Sequence, residues 1–217
     1  MGLSLKSAED YFEKGLNYDA KEEWHYSIEA YTSAIKINSE YTEAYFKRGS
    51  AYEKMRDYEL AISDFTKAIQ LDPNCSKYLF ERGFAYSSLG QRNDLVIADC
   101  TKAIELDSNH CAAYILRGFA YELKHEYDLA IADYTKVIEL CPDYALLYKS
   151  RGTAYKREGQ YDLAIADYIR AIELDPMDAI TFYRRALAYY KKGENNKAID
   201  DLRKGEELDP TGELKPK

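Results

Sequence analysis

The side chains able to do chemistry in this sequence are few and scattered. Cys75, Cys100, Cys111 and Cys141 show no C-x-x-C spacing, and His25, His110 and His125 show no ligand pattern. The thiols therefore read as reduced and structural rather than as a metal site. There is no glycine-rich phosphate loop and no Cys–His pair placed by a motif, so neither an enzyme nor a cofactor nor a metal is expected. The chemistry that does recur is ionic. Arg48, Arg82, Arg117, Arg151 and Arg185 return in register with Asp64, Asp99, Asp133, Asp167 and Asp201. An Arg fork bonding a carboxylate at two points could fix the angle between two elements. The stretch that would hold one more pair has Lys14 and Ala30 instead, and this joint absence pairs the two residue types. The alternative is a row of Arg gripping an anionic ligand.

The elements that must position these pairs are visible as a repeated phrase. AYFKRGSAYEK (44–54), KYLFERGFAYSS (77–88), AYILRGFAYEL (113–123), LYKSRGTAYKR (147–157) and TFYRRALAYYK (181–191) are one motif. Each is followed by a second, of the type YDLAIADYIRAIELDP (161–176), and a divergent first copy runs from Glu9 to Ser39. Gly15, Gly49, Gly83, Gly118, Gly152 and Ala186 mark the phase, 34 residues apart except for 35 between Gly83 and Gly118. Counting each copy from 1, positions 4, 8 and 11 share one face of a first helix, and 20, 24 and 27 share one face of a second. Gly or Ala opposite Ala lets two helices approach closely. The Asp-Pro pair stops the second helix.

These residues resemble the tetratricopeptide repeat family: an aromatic at 4 (Tyr11, Tyr45, Tyr114, Tyr148, Phe182), Gly or Ala at 8, Tyr at 11, Ala at 20 and Pro at 32. The resemblance covers residues 8–210. It implies an all-α fold, a right-handed α-solenoid of antiparallel helix pairs whose faces are buried by stacking. The expected division is a tail at 1–7, repeats at 8–41, 42–75, 76–110, 111–144, 145–178 and 179–212, and a tail at 213–217.

Bulk properties agree. The chain has 217 residues, 46% hydrophobic and 31% charged, with 5 Pro and 11 Gly, too few for a strand-and-turn fold. Its 22 Tyr call for a repeated packing role. A formal charge of −8 argues against nucleic acid as a partner. No apolar run approaches the roughly 18 residues of a membrane span, and MGLSLKSAEDYF lacks the features of a signal peptide. Gly2 begins a myristoylation-like start, but Lys6 stands where that motif takes Ser or Thr. A cytoplasmic protein with no membrane partner is expected.

Two copies depart from the pattern. The third carries its extra residue within SSLGQRNDLV, read as a longer turn, and has Val96 and Cys100 where its neighbours carry Ala and an aromatic. The sixth has Glu206 in place of Ile, Gly205 at position 27 and Asn196 at 18, which reads as a self-capping end. Residual apolar surface on the terminal repeats would make a homo-oligomer.

In proteins of the family the first helices line a concave groove through positions 2, 5, 6, 9, 12 and 13. Carried over, the groove begins acidic (Glu9, Glu13, Asp19) around Phe12 and Leu16, and continues through Phe46, Phe80, Phe84, Ile115, Leu116, Phe119 and Leu123. It ends basic, with Lys149, Lys156, Arg157, Arg184 and Lys191 around Tyr183 and Tyr190. An exposed apolar patch of this kind marks a binding site; the alternative is that these Phe pack against neighbouring first helices. The expected function is a scaffold that holds a peptide or helix with apolar residues and an acidic end. The carboxylate clamp of chaperone-binding members is not matched, since Lys47 and Lys77 are isolated agreements.

Overall fold

The computed structural model describes residues 7–90 and 92–214. All regular structure among them is helical: α1 (Ala8–Asp19), α2 (Trp24–Ile37), α3 (Thr42–Lys54), α4 (Tyr58–Leu71), α5 (Ser76–Ser88), α6 (Asn93–Leu106), α7 (Cys111–Leu123), α8 (Tyr127–Leu140), α9 (Ala145–Arg157), α10 (Tyr161–Leu174), α11 (Ala179–Lys192) and α12 (Asn195–Leu208). The chain forms two compact units, Met1–Ala113 and Tyr114–Lys217. In the first, α1/α2, α3/α4 and α5/α6 are antiparallel pairs, with α3 seated on α2 and α5 on α4. In the second, α9/α10 and α11/α12 pair, α9 sits on α8 and α11 on α10. The extra residue of the third copy centres on Gln91, which lies outside the described residues, as do 1–6 (with Gly2 and Lys6) and 215–217.

Local sequence explains where helices begin and end. Ser7 and Asp10 form a capping box on α1, each side chain accepting from the other's amide. At the end of α4 the residue before proline, Asp72, is extended (φ −136°), and its carboxylate accepts from the Asn74 amide at 3.2 Å. Asp175 does the same for Met177. Within each pair the turn passes through a left-handed residue at position 15. Gly90, Gly159 and Gly193 supply it in three copies, but Glu22, Arg56 and His125 adopt the same positive φ in the others.

The core is built from small residues. Position 20 (Ser27, Ala61, Val96, Ala130, Ala164, Ala198) and position 10 of the stacked helices (Ala51, Ala85, Ala120, Ala154, Ala188) are buried. The aromatic at position 24 lies against the glycine at 8: Tyr31 on Gly15, Phe65 on Gly49, Tyr134 on Gly118, Tyr168 on Gly152. The aromatics at 4 and 11 are mostly half-buried rather than core.

Repeat six reverses this arrangement. Position 8 is Ala186 and position 24 only Leu202, while Tyr183 at position 5 is 1% exposed and its ring fills the space left by Gly205. A methyl group added at Gly205 would stand 2.5 Å from that ring. Gly205→Ala is expected to cost about 1–3 kcal/mol by overpacking. Tyr183→Leu in the same chain should recover most of the loss, as read from urea unfolding. Simple addition of the two effects would refute the contact.

Candidate functional site

The recurring charges assemble as five forks. Arg48 donates from Nε and Nη2 to the two Asp64 oxygens at 2.7 and 2.8 Å. Arg82–Asp99, Arg117–Asp133, Arg151–Asp167 and Arg185–Asp201 repeat the geometry within 2.7–2.9 Å. Each joins the first helix of a repeat to its second. Aromatics at 4 and 11 flank the guanidinium of Arg117, Arg151 and Arg185, as Tyr148 and Tyr155 do for Arg151, each 5.8 Å away. The Asp99, Asp133 and Asp167 hydrogen bonds raise the pKa of Arg82, Arg117 and Arg151 against the effect of burial. Repeat one, which lacks the pair, is latched differently: the Tyr31 hydroxyl donates to Asp19 at 2.6 Å. Nothing in the sequence pattern marks that bond, because Tyr31 carries the ordinary position-24 aromatic.

The first-helix face of unit 1 is partly closed. Phe12 and Phe46 are 7% and 6% exposed. Phe12 meets Tyr41 at 4.9 Å between ring centroids, and Phe46 meets Tyr78 at the same distance. Their expected exposure is thus corrected: Tyr41, just before α3, closes over Phe12, and Tyr78 on α5 closes over Phe46. Lys77 lies over the Phe46 ring, 4.7 Å away. A cavity of about 420 Å³ beside them is lined by Phe12, Leu16, Glu43, Phe46, Lys47, Cys75, Lys77 and Tyr78. Phe80 is half-buried against His110, and Phe84 remains 41% exposed. The same unit holds two half-buried carboxyls, Glu53 and Glu81, that sequence reasoning missed. Burial, with Glu81 nearby, pushes Glu53 up to about 7, and burial also raises Glu81.

In unit 2, Phe119 and Leu123 on α7 are 48% and 52% exposed, Ile115 is half-buried and Leu116 is buried. Tyr183, expected in the groove, is core, and Leu116 likewise offers a partner no free face. Lys149 is held by Asp178 at 2.6 Å, and Asp178 also accepts from Thr181 and from the Ile180 amide. This Lys staples α9 to the start of α11. Lys156, Arg157 and Arg184 remain together on the face. Arg184 donates to Thr153 at 2.9 Å, Arg157 is exposed, and Lys156 is half-buried. Burial together with Arg184 and Arg157 pushes Lys156 down to about 8. Glu122 faces the two arginines: burial raises its pKa, Arg184 and Arg157 oppose that rise, and its Oε1 has no hydrogen-bond partner among the described residues. Lys191 is exposed.

Among the described residues no group of three or more His, Cys, Asp or Glu is placed to hold a metal ion, and no disulfide is formed. Among those residues, too, no helix is long and apolar enough to cross a membrane.

Comparison with known proteins fits this architecture. Family profiles described as "Tetratricopeptide repeat" match residues 42–75, 111–144 and 179–211, and 133–166; one described as "TPR repeat" matches 152–193. The chain belongs to the tetratricopeptide repeat family. A crystal structure of MamA is 28% identical, with a TM-score of 0.73 over 75% of this chain and 95% of that one. YrrB, described as a TPR protein with an unusual peptide-binding site, is 22% identical with a TM-score of 0.77 over 86% and 96% of the two chains, a likeness of fold. So is that of the C-terminal part of a TPR repeat-containing protein from Cytophaga hutchinsonii, 20% identical with a TM-score of 0.80 over 93% and 80%. No curated protein matches. The tetratricopeptide fold is that of a protein-interaction scaffold, and its first-helix faces are where this chain gathers exposed aromatics beside charge.

Proposed function

We propose that this tetratricopeptide chain is a non-enzymatic adaptor that binds a peptide or helical segment on its first-helix faces, in a cytoplasmic setting. The observation that carries the reading is in unit 2. Lys156, Arg157 and Arg184 crowd one another, Glu122 opposes the two arginines, and exposed Phe119 and Leu123 are on α7. A segment with apolar anchors and an acidic end satisfies both halves: it covers Phe119 and Leu123 and removes uncompensated positive charge. Phe80 and Phe84 give unit 1 an apolar face of its own, with the Glu53–Glu81 carboxyls beside it, so basic ligand residues suit that unit.

A labelled synthetic peptide with two Leu anchors followed by Glu and Asp provides the test, with a Lys-ended peptide as control. Fluorescence anisotropy should favour the acidic peptide by roughly tenfold or more, the worth of about one charge-assisted contact. Phe119→Ser with Leu123→Ser should abolish binding while the helical circular dichroism is retained. Equal affinity for the two peptides, or an unaffected double variant, would sink the reading. Titration supplies a sign. The folded chain holds Lys156 below its usual value, so at high pH the Lys156 amine must take up a proton from solvent when an anion binds beside it. Affinity should therefore fall roughly tenfold between about pH 7 and about pH 9.5. Lys156→Gln should flatten that dependence.

A further inference from the structure

At the α11/α12 end of unit 2, Ala186, Leu187, Tyr190, Ala198, Ile199 and Leu202 line an open apolar trough of about 400 Å³. The polar residues Glu206 and Asn196 suit a capping repeat, yet Leu187, Tyr190 and Ile199 are 39%, 62% and 46% exposed. Repeat six therefore does not cover its own outer face.

The rest of the chain shows what occupies such a face. α3 rests on the first pair and α11 on the α9/α10 pair, each burying the residues at positions 3 and 10, Ala44 and Ala51 or Thr181 and Ala188. The residue between them, Arg at 7, reaches back to position 25 of the preceding repeat. Arg48 donates to Thr32 at 3.0 Å, Arg82 to Thr66 at 3.1 Å, and Arg151 to Thr135 at 3.0 Å. Repeat six has Arg203 at position 25, and it is exposed. A helix seated here with a basic residue at 7 would press like charge on like.

Every first helix of this chain carries Lys or Arg at that position. α1 in addition has exposed Asp10 and Asn17 at positions 3 and 10, where a seated helix needs residues that can be buried. Head-to-tail stacking of a second copy is disfavoured on both counts. We propose that the trough is the seat of a partner protein's helix with small residues at i and i+7 and an acidic residue at i+4, the acid meeting Arg203. This surface is separate from the first-helix faces, and the inference does not rest on the adaptor reading.

The probe is a peptide with the α3 sequence Thr42–Lys54, held helical by a lactam bridge on its outer side, made with and without Arg48→Glu. Against the full chain, anisotropy should show the Glu peptide binding at least about tenfold more tightly, as expected for one desolvated charge pair. Arg203→Glu in the chain alters an exposed side chain and should reverse the preference. Leu202→Asp should abolish binding of both peptides, and Phe119→Ser should change neither. Equal affinities, no binding of either peptide, or an unreversed preference in Arg203→Glu would overturn the proposal. So would sedimentation showing self-association that Leu202→Asp removes, because a second copy would then hold the seat.

Discussion

Asp64→Ala should lower the free energy of unfolding by about 3 kcal/mol, the low end for breaking a buried ion pair. The Arg48 side chain is 17% exposed and Asp64 only 6%, so the guanidinium left behind cannot simply turn to water. Burial alone would depress the Arg48 pKa; the Asp64 hydrogen bond and charge more than offset it, and their loss leaves an uncompensated cation. The Tyr45 ring, 5.6 Å away, and the Thr32 hydroxyl offer no countercharge. Arg48→Lys should cost less but still measurably, because an ammonium cannot make both bonds of the fork. Arg48→Met with Asp64→Leu should restore most of the stability by removing both charges. Urea unfolding followed by circular dichroism gives the totals, and hydrogen exchange in α3 and α4 shows whether the loss stays local, as a repeat array allows. If Asp64→Ala is neutral while peptide binding collapses, the forks serve ligand and not fold.

Much of the fold was legible because stacking imposes one period on every residue that touches a neighbour. Gly at 8 with an aromatic at 24, and Ala at 20, recur for a single geometric reason, and their phase alone locates the twelve helices of the described residues. The pairing of Arg at 7 with Asp at 23 could be inferred from repeat one, where both are missing together. What stayed hidden depends on the neighbour's identity and not on phase. Phe12, Phe46 and Phe80 occupy the same position, yet the first two are buried because Tyr41 and Tyr78 close over them, while His110 stands opposite Phe80. Lys149 and Lys156 both looked like free groove cations, but Asp178 neutralises only the first. Gly205 was visible as a departure, and Tyr183 read as a groove residue. Their complementarity was not visible, since it crosses from α11 to α12 between residues far apart in sequence. The left-handed residue at 15 is equally silent where it is Glu22, Arg56 or His125, because the turn is dictated by the helices on either side of it.

One position, mutated in two repeats, measures what a missing neighbour is worth. Phe65 and Leu202 both stand at position 24, but Phe65 is fully buried and Leu202 is 36% exposed. Phe65→Ala removes a ring that lies against Gly49 and 5.7 Å from the Phe46 ring, enclosed by α3, α4 and α5. Such truncations cost about 3–5 kcal/mol, because the transfer energy is lost and a cavity remains. Leu202→Ala should cost about 1 kcal/mol or less, since the leucine already meets water and no void is enclosed. The ratio should change when the seat is filled. With the acidic α3-type peptide bound, the wild-type chain should gain stability in proportion to ligand concentration, and Leu202→Ala should forfeit most of that gain. A large loss from Leu202→Ala in the unliganded chain would mean that the trough is already covered in solution, and the open face of repeat six would then not be a seat awaiting a partner.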